Sequence, residues 1–517
     1  MTTTPTNDEA ELSKFGYSQE LHRSLGSFSS FAAGFSYISV LTGIIQLSGF
    51  GIAMAGPAVI WAFPIVIAGQ LLVALCFGEL AARYPITGSV YSWSARVGGE
   101  KAAWWAGYAM LVTDIVSVAA VALGMQALLP QIWSGFQIIG DGTGASFAQN
   151  AVLLGTILIV FTTVVNIAGV KVMAMINNAG VFVELCGCVL LAILLMTVIE
   201  RGPSIIFDTF DLGATHTGGY LGAFAIGAIF PLWIYFGFDT AGSLAEETNN
   251  PRKLAPKAII RAVSAAGFLG TLLVLLSLMS ARDLQNPDFA SGGVAYLVRD
   301  RFGSTVGTIF LCIALVAVVV CCLAIHTGSI RMMFAMGRDN RLPFSRALAR
   351  VDERSGAPIA PSIIVGVLAI MILLVNIGQG AIVAALTSMA VALGYIAYLI
   401  VTATLLKKRL SGWPGDHVEA RRDGYFSMSR GVGLAVNIAA VVYGAVCIVN
   451  VTWPRIEIYN ATGPSHWYLH YFAYLFTVVL AGVGLLLYAL SPRGHIPDAT
   501  ASTPQNSSLD DPTLEMS

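Results

Sequence analysis

The sequence predicts an all-α polytopic membrane protein, and three observations predict it. Hydrophobic residues make up 56% of the 517 and charged residues only 11%, against about 25% charged in a soluble domain; the mean hydropathy is +0.75. Apolar runs of about 20 residues, the length that crosses a bilayer as a helix, recur along the whole chain. The first and sixth of these runs carry a glycine-marked break near the middle, where a helix can unwind.

Residues 1–26 are polar. Asp8, Glu9 and Glu11 deny them the character of a signal peptide, so they are expected to be a cytoplasmic N-terminal segment. Twelve apolar segments follow, at 28–52, 57–80, 103–129, 151–170, 179–199, 220–245, 258–280, 306–333, 361–377, 381–406, 432–451 and 469–490, each expected to be a transmembrane helix. Residues 491–517 are rich in Pro, Ser and Asp, have no apolar period, and read as a disordered cytoplasmic tail. With both termini inside, all but five of the 28 Lys and Arg fall on the cytoplasmic side, the exceptions being Arg201, Arg282, Arg299, Arg301 and Arg455. The basic clusters at 331–354 and 407–430 read as topology signals and contacts to anionic lipid. A nucleic-acid partner would need a soluble basic domain, which the sequence lacks. Seven cysteines, all within apolar segments, have neither disulfide nor metal-site spacing and read as small buried apolar residues. Asn450-Val451-Thr452 and Asn460-Ala461-Thr462 fit the glycosylation pattern, which matters only in a secretory route.

The first break lies in Ser36–Ile45, SYISVLTGII, at a Ser/Thr–Gly pair. The second lies in Phe236-Gly237-Phe238-Asp239, where an aromatic–glycine step ends in a carboxylate inside an apolar run. A charge there costs several kcal/mol, roughly 3 on insertion scales, so its default reading is functional. The breaks are five segments apart. Because five is odd, the second copy of a repeat would be inverted across the membrane, with a solute site at the two breaks. The expected organisation is one repeat over 27–200, within a first block of seven helices at 27–280, a second repeat over 220–407, and two added helices over 431–490. Close helix packing is the alternative use of Gly43 and Gly237.

Three motifs carry a family resemblance. One is Gly237-Phe238-Asp239 running into Ala245-Glu246-Glu247-Thr248-Asn249-Asn250-Pro251 and Ala255-Pro256-Lys257-Ala258-Ile259. The second is RMMFAMGRDNRLP, Arg331 through Pro343. The third is Gly78-Glu79-Leu80 with Tyr84-Pro85-Ile86-Thr87-Gly88-Ser89-Val90-Tyr91. Over about residues 20 to 490 the chain resembles the amino acid–polyamine–organocation superfamily, in particular its amino acid/choline permeases, which include GABA and choline transporters. The resemblance implies a LeuT-like five-plus-five inverted repeat with discontinuous helices one and six. It implies alternating-access transport of an amino acid or organic amine at the cell membrane, by proton symport or exchange, with sodium as the other coupling ion and with no cofactor.

The same resemblance assigns candidate site residues. Ser39, Leu41, Thr42, Gly43 and Ile44 would present main-chain N–H groups to a substrate carboxylate, a use the helix dipole favours; Ser39 and Thr42 could instead bond a helix carbonyl. Trp233, Phe236 and Phe238 flank the second break. Phe236 is the expected gate, with packing as the alternative, and Gly237 is the unwound step. Asp239 reads as a proton carrier or as an N-cap. Asp114 appears at a substrate-contacting position, where a carboxylate suits an ammonium. Glu184 stands near where several proton-coupled relatives carry a lysine, so the sign is reversed, and a glutamate shut into an apolar span can carry a proton. Ile325 and His326 lie beside the expected cavity, and a packing role is the alternative for His326. Thr327 alone is too little to claim a sodium site. Glu79, Glu246, Glu247, Arg252, Arg331, Arg338 and Asp339 are either an inner gate or interfacial anchors. No metal cluster, catalytic triad or nucleotide loop points to an enzyme. A channel or a membrane sensor on the same fold is the competing class, although the short soluble ends supply no signalling domain.

Overall fold

The computed structural model describes residues 7–491 except 143, 217, 376–381, 416, 456–466 and 468–470. Among them every regular element is helical, apart from one isolated parallel bridge between Leu25 and Thr248. Helices are what a bilayer requires, since a strand or loop facing lipid would leave main-chain groups unbonded. The chain is therefore an all-α polytopic membrane protein. Ten helices are long and apolar enough to cross a membrane: Ser27–Ala55, Pro57–Arg83, Glu100–Ile132, Ser146–Ile167, Val170–Met196, Pro251–Ser280, Pro287–Arg338, Ala385–Leu410, Arg430–Thr452 and Phe472–Leu490. They correspond to all the expected segments but two. The sixth, expected at 220–245, begins as the helical stretch Gly219–Ile234, which follows the preceding stretch Pro203–Ala214 at a bend of 118°. The ninth is the shorter helix Ile359–Val375, and its expected last residues lie outside the described ones, as do most of the expected tail and the Asn460 acceptor.

The surface is apolar where lipid would meet it. Ile65, Phe182, Phe268, Val442 and Leu486 are exposed on different helices, an unsuitable surface for water. Cys186 and Cys312 share this surface, so two of the seven cysteines are not buried. All seven are free thiols.

Both broken segments run through the middle. The first divides into helices Ser27–Ile38 and Val40–Ala55 at Ser39, whose φ is 36°. That is four residues before the glycine expected to mark it, and Gly43 is helical. The sixth ends as a helix at Ile234 and resumes as the single turn Thr240–Ser243. Around them the second segment packs on the seventh, the third on the tenth and the eighth on the fifth. The Pro287–Arg338 helix bends at Gly293 and Gly303, both at positive φ, before its membrane-length stretch.

Four of the five basic residues expected outside gather on one face. Arg201 donates to the carbonyls of Ala281 and Arg282, Arg282 pairs with Asp300, Arg301 with Glu200, and Arg299 donates to the Gln131 carbonyl. The N-terminal segment lies on the opposite face, called here the N-terminal face.

Candidate functional site

A broken helix inside a membrane must find other partners for its end groups. At the first break the partner is Glu184, carried on the Val170–Met196 helix. Its Oε1 accepts from the Ser39 hydroxyl at 2.9 Å and from the Leu41 N–H at 3.2 Å, and Ser39 Oγ lies 2.6 Å from Thr42 Oγ1. Glu184 is fully buried, and its Oε2 has no hydrogen-bond partner among the described residues. A positive φ on serine costs roughly 1–3 kcal/mol, which these charge-assisted bonds offset.

At the second break the main chain turns on Gly237, at φ +88°. Its N–H donates to the Tyr398 hydroxyl at 2.8 Å, and that hydroxyl donates to Asp239 Oδ1 at 2.5 Å. Ser89 donates to Asp239 Oδ2 at 2.7 Å and accepts from the Ser243 hydroxyl at 2.8 Å. The Asp239 side chain makes no N-cap bond; the following turn uses its main-chain carbonyl. Tyr37, two residues before the first break, donates to Asp114 Oδ1 at 2.7 Å, and its ring lies edge-on to Phe236 with centroids 5.7 Å apart. Asp114 and Asp239 are both buried. Two of the three acids, Asp114 and Asp239, are thus held by tyrosine hydroxyls, and the two breaks meet through the Tyr37–Phe236 ring contact.

Between them is a pocket lined by Tyr37, Thr42, Gly43, Trp233, Phe236 and Ile325, along with Ile38, Val121 and Cys321. Its volume is about 10 Å³, room for about one water molecule. Among the predicted residues, Thr42, Gly43, Trp233, Phe236 and Ile325 line it. Ser39 and Leu41 are turned to Glu184. Ile44 is packed in the core, and Phe238 packs on Phe77 and Tyr398 with centroids 5.9 and 5.3 Å away. Asp114 reaches the pocket through Tyr37. His326 points elsewhere, with Nδ1 3.0 Å from Thr162 Oγ1 and Nε2 3.1 Å from the Ser362 carbonyl. Thr327 donates to Asn166 Oδ1 at 2.9 Å and to the Leu323 carbonyl. Tyr37, Ser89 and Tyr398 were not anticipated. Tyr37 had a signal in its nearness to the first break and Ser89 in its place within the third motif, while Tyr398 lies 159 residues from Asp239 and had none.

Each side of the pocket is closed differently. Away from the N-terminal face, Trp233 Nε1 donates to Gln46 Oε1 at 3.3 Å, and Gln46 donates to the Ala120 carbonyl. Beyond this layer opens a polar cavity of about 490 Å³, lined by Ile45, Gln126, Gln131, Gln137, Asp141 and Ser291 among others. Toward the N-terminal face the closure is ionic. Arg338 donates to both oxygens of buried Glu246, at 2.9 and 3.0 Å, and Thr87 N–H adds a third bond. Arg331 Nε donates to Glu247 at 2.7 Å, and Arg409 pairs with Glu79. Arg252 pairs with Glu11 at 2.9 Å. Burial raises the Glu247 carboxyl against the pull of Arg331, and raises that of Asp339 against Arg338 and the hydroxyls of Tyr91 and Tyr17.

The N-terminal segment covers this lock. Tyr17 donates to Asp339 at 3.0 Å, and its ring lies 3.9 Å from the Arg338 guanidinium carbon. Ser24 and Leu25 N–H donate to the Glu247 carbonyl at 2.9 and 2.8 Å, and Asn249 N–H donates to the Leu25 carbonyl at 2.9 Å. Gln19 and Arg23 donate to the carbonyls of Glu246 and Thr248.

A multi-pass helical protein with a small closed pocket between two broken helices and a closure on either side belongs to the class of membrane transporters. Within that class the chain is a member of the amino acid permease family, whose model matches residues 25–480. It is 28% identical to the amino-acid permease BAT1 homolog of Oryza sativa subsp. japonica over 86% of this chain and 87% of that protein. It is 25% identical to the methylthioribose transporter of Bacillus subtilis over 89% of this chain and 95% of that one. It is 26% identical to the branched-chain amino acid permease BcaP of Lactococcus lactis over 61% and 68%. The chain is thus a transporter of an amino acid or another small organic molecule, and not an enzyme.

Proposed function

We propose that this permease moves an amino acid or related organic amine by alternating access across the plasma membrane, coupled to protons, with both termini in the cytoplasm. The observation that carries the proposal is the pair of breaks meeting at one closed pocket, with Asp114, Glu184 and Asp239 buried around it and no Lys or Arg in its lining. Ligand pockets commonly measure about 300–1,000 Å³, so admitting a solute requires the broken helices to part. The ionic lock and the opposite cavity then define the two openings. The packing of segments supports an inverted five-plus-five repeat within twelve spans. Shifting every segment number by five turns the third–tenth contact into the eighth–fifth contact and leaves the second–seventh contact as itself, and all three are present. Sodium draws less support, because the Thr327 hydroxyl already serves Asn166 and Leu323.

Two results are expected. Asp114→Asn keeps a partner for the Tyr37 hydroxyl but removes the charge, and should lower amine uptake at least about tenfold, equivalent to about 1.4 kcal/mol. Tyr37→Phe should cost less. Uptake by Asp114→Asn within twofold of wild type would remove Asp114 from the site. Glu184→Gln should flatten the dependence of uptake on external pH; an unchanged pH profile at normal membrane abundance would refute its role as a proton carrier. The proposal as a whole is tested with radiolabelled amines and amino acids in proteoliposomes, with and without an imposed pH gradient.

A further inference from the structure

A transporter that holds a solute carboxylate on a helix N-terminus needs free N–H or hydroxyl donors there. In this chain two of the donors at the first break are already engaged by the protein's own acid. Ser39 Oγ and Leu41 N both donate to Glu184 Oε1, at 2.9 and 3.2 Å. Thr42 Oγ1, the nearest other hydroxyl, is 2.6 Å from Ser39 Oγ and so belongs to the same cluster. Glu184 Oε2 is buried and unpartnered among the described residues, which leaves a second carboxyl oxygen beside the break. At the second break the Gly237 N–H is taken by Tyr398, and the turn after it starts at the Asp239 main-chain carbonyl.

The rest of the lining points the same way. Tyr37, Trp233 and Phe236 present aromatic rings, which attract cations. Asp114 lies behind Tyr37 at 2.7 Å. The lining holds no Lys, Arg or His. A solute carboxylate would lie among three buried acids and would find the Ser39 hydroxyl and the Leu41 N–H occupied. A solute ammonium meets aromatic faces backed by an acid.

We infer that Glu184 is a built-in carboxylate that fills the first helix break, and that it makes the site select an organic amine without a carboxylate over the amino acid of the same skeleton. The inference rests on the reading of the chain as an amine-carrying permease and narrows its substrate class. Glu184 is then a specificity-determining residue whose position is set by the fifth segment and whose effect is felt at the first.

The test compares matched pairs: agmatine with arginine, histamine with histidine, tyramine with tyrosine. Each is measured as uptake into proteoliposomes by the full chain and as thermal stabilisation of the purified protein in detergent. In wild type the amine of at least one pair should be favoured tenfold or more. Glu184→Ala frees Ser39 and Leu41 and should move that ratio at least tenfold toward the amino acid. Glu184→Gln keeps an oxygen on the same donors without the charge and should move it only a few-fold. Should Glu184→Ala fail to insert, the wild-type ratios and Glu184→Gln decide. Preference of wild type for the amino acid in every pair overturns the inference and leaves the permease reading standing. An unchanged ratio in both variants overturns the role of Glu184. If neither member of any pair moves or stabilises the protein, the amine-permease reading falls and this inference with it.

Discussion

Arg338→Ala should open the N-terminal face. Glu246 has no exposed surface and takes two of its three hydrogen bonds from Arg338. Removing one member of a buried pair costs about 3–5 kcal/mol, because the other charge stays buried. That cost falls on the conformation in which the pair is formed. In a two-state carrier it shifts the equilibrium by roughly two to four powers of ten toward the other state. We expect uptake to fall at least tenfold, and the amides of Ser24, Leu25 and Asn249, whose bonds cross the lock, to exchange hydrogen faster. Combining Arg338→Glu with Glu246→Arg should recover part of both. This double exchange separates a gate from interfacial anchoring, since two independent anchors would show no recovery. Unchanged amide exchange in Arg338→Ala would show that the pair does not hold this face shut.

Gly237→Ala should abolish transport. At φ +88° a residue with a side chain pays roughly 1–2 kcal/mol. A Cβ at this position would also lie 1.8 Å from Tyr37 Cδ1 and 1.9 Å from its Cε1. The ring has to swing away, and its 2.7 Å bond to Asp114 goes with it. Overpacking of this kind costs about 1–3 kcal/mol, too little to unfold a large membrane domain but enough to displace both breaks. Uptake should fall at least about a hundredfold with the protein still in the membrane. Gly482→Ala is the control, because a Cβ there meets nothing within 4 Å, and uptake should stay within twofold. Wild-type uptake by Gly237→Ala would show that the Tyr37 contact is not part of the working cycle.

Much of the fold could be read from the sequence, for a physical reason. Bilayer thickness imposes a length on each apolar run, and the expected segments recur as helices, although the sixth is broken and the ninth short. The break at Gly237 was legible because it combines a residue free to take positive φ with a charge that apolar surroundings would not otherwise contain. The break at Ser39 was placed four residues late, at Gly43. What unwinds the helix there is a carboxylate 145 residues away, and no local pattern carries that information. The same limit applies within the site. Asp114, Glu184 and Asp239 stood out as acids in apolar runs, but Tyr398, which helps hold Asp239, looks like an ordinary residue of its helix. His326 shows the converse: its position suggested the pocket, and its ring instead joins the fourth and ninth segments through Thr162 and Ser362.

The strap across the N-terminal face has a consequence for how its sequence can vary. Between residues 24 and 25 and the 247–249 stretch three bonds run from main chain to main chain, and the Asn249 side chain adds one to the Leu25 carbonyl. A substitution at Ser24 leaves the main-chain bonds available, so the wording there is free to drift. Spacing is not free. Inserting or deleting one residue between Leu25 and the helix beginning at Ser27 would change which N–H groups meet Glu247, and doing so between Tyr17 and Leu25 would take Tyr17 from Asp339 while Leu25 stays paired. Among relatives, this stretch should hold its length more strictly than its letters.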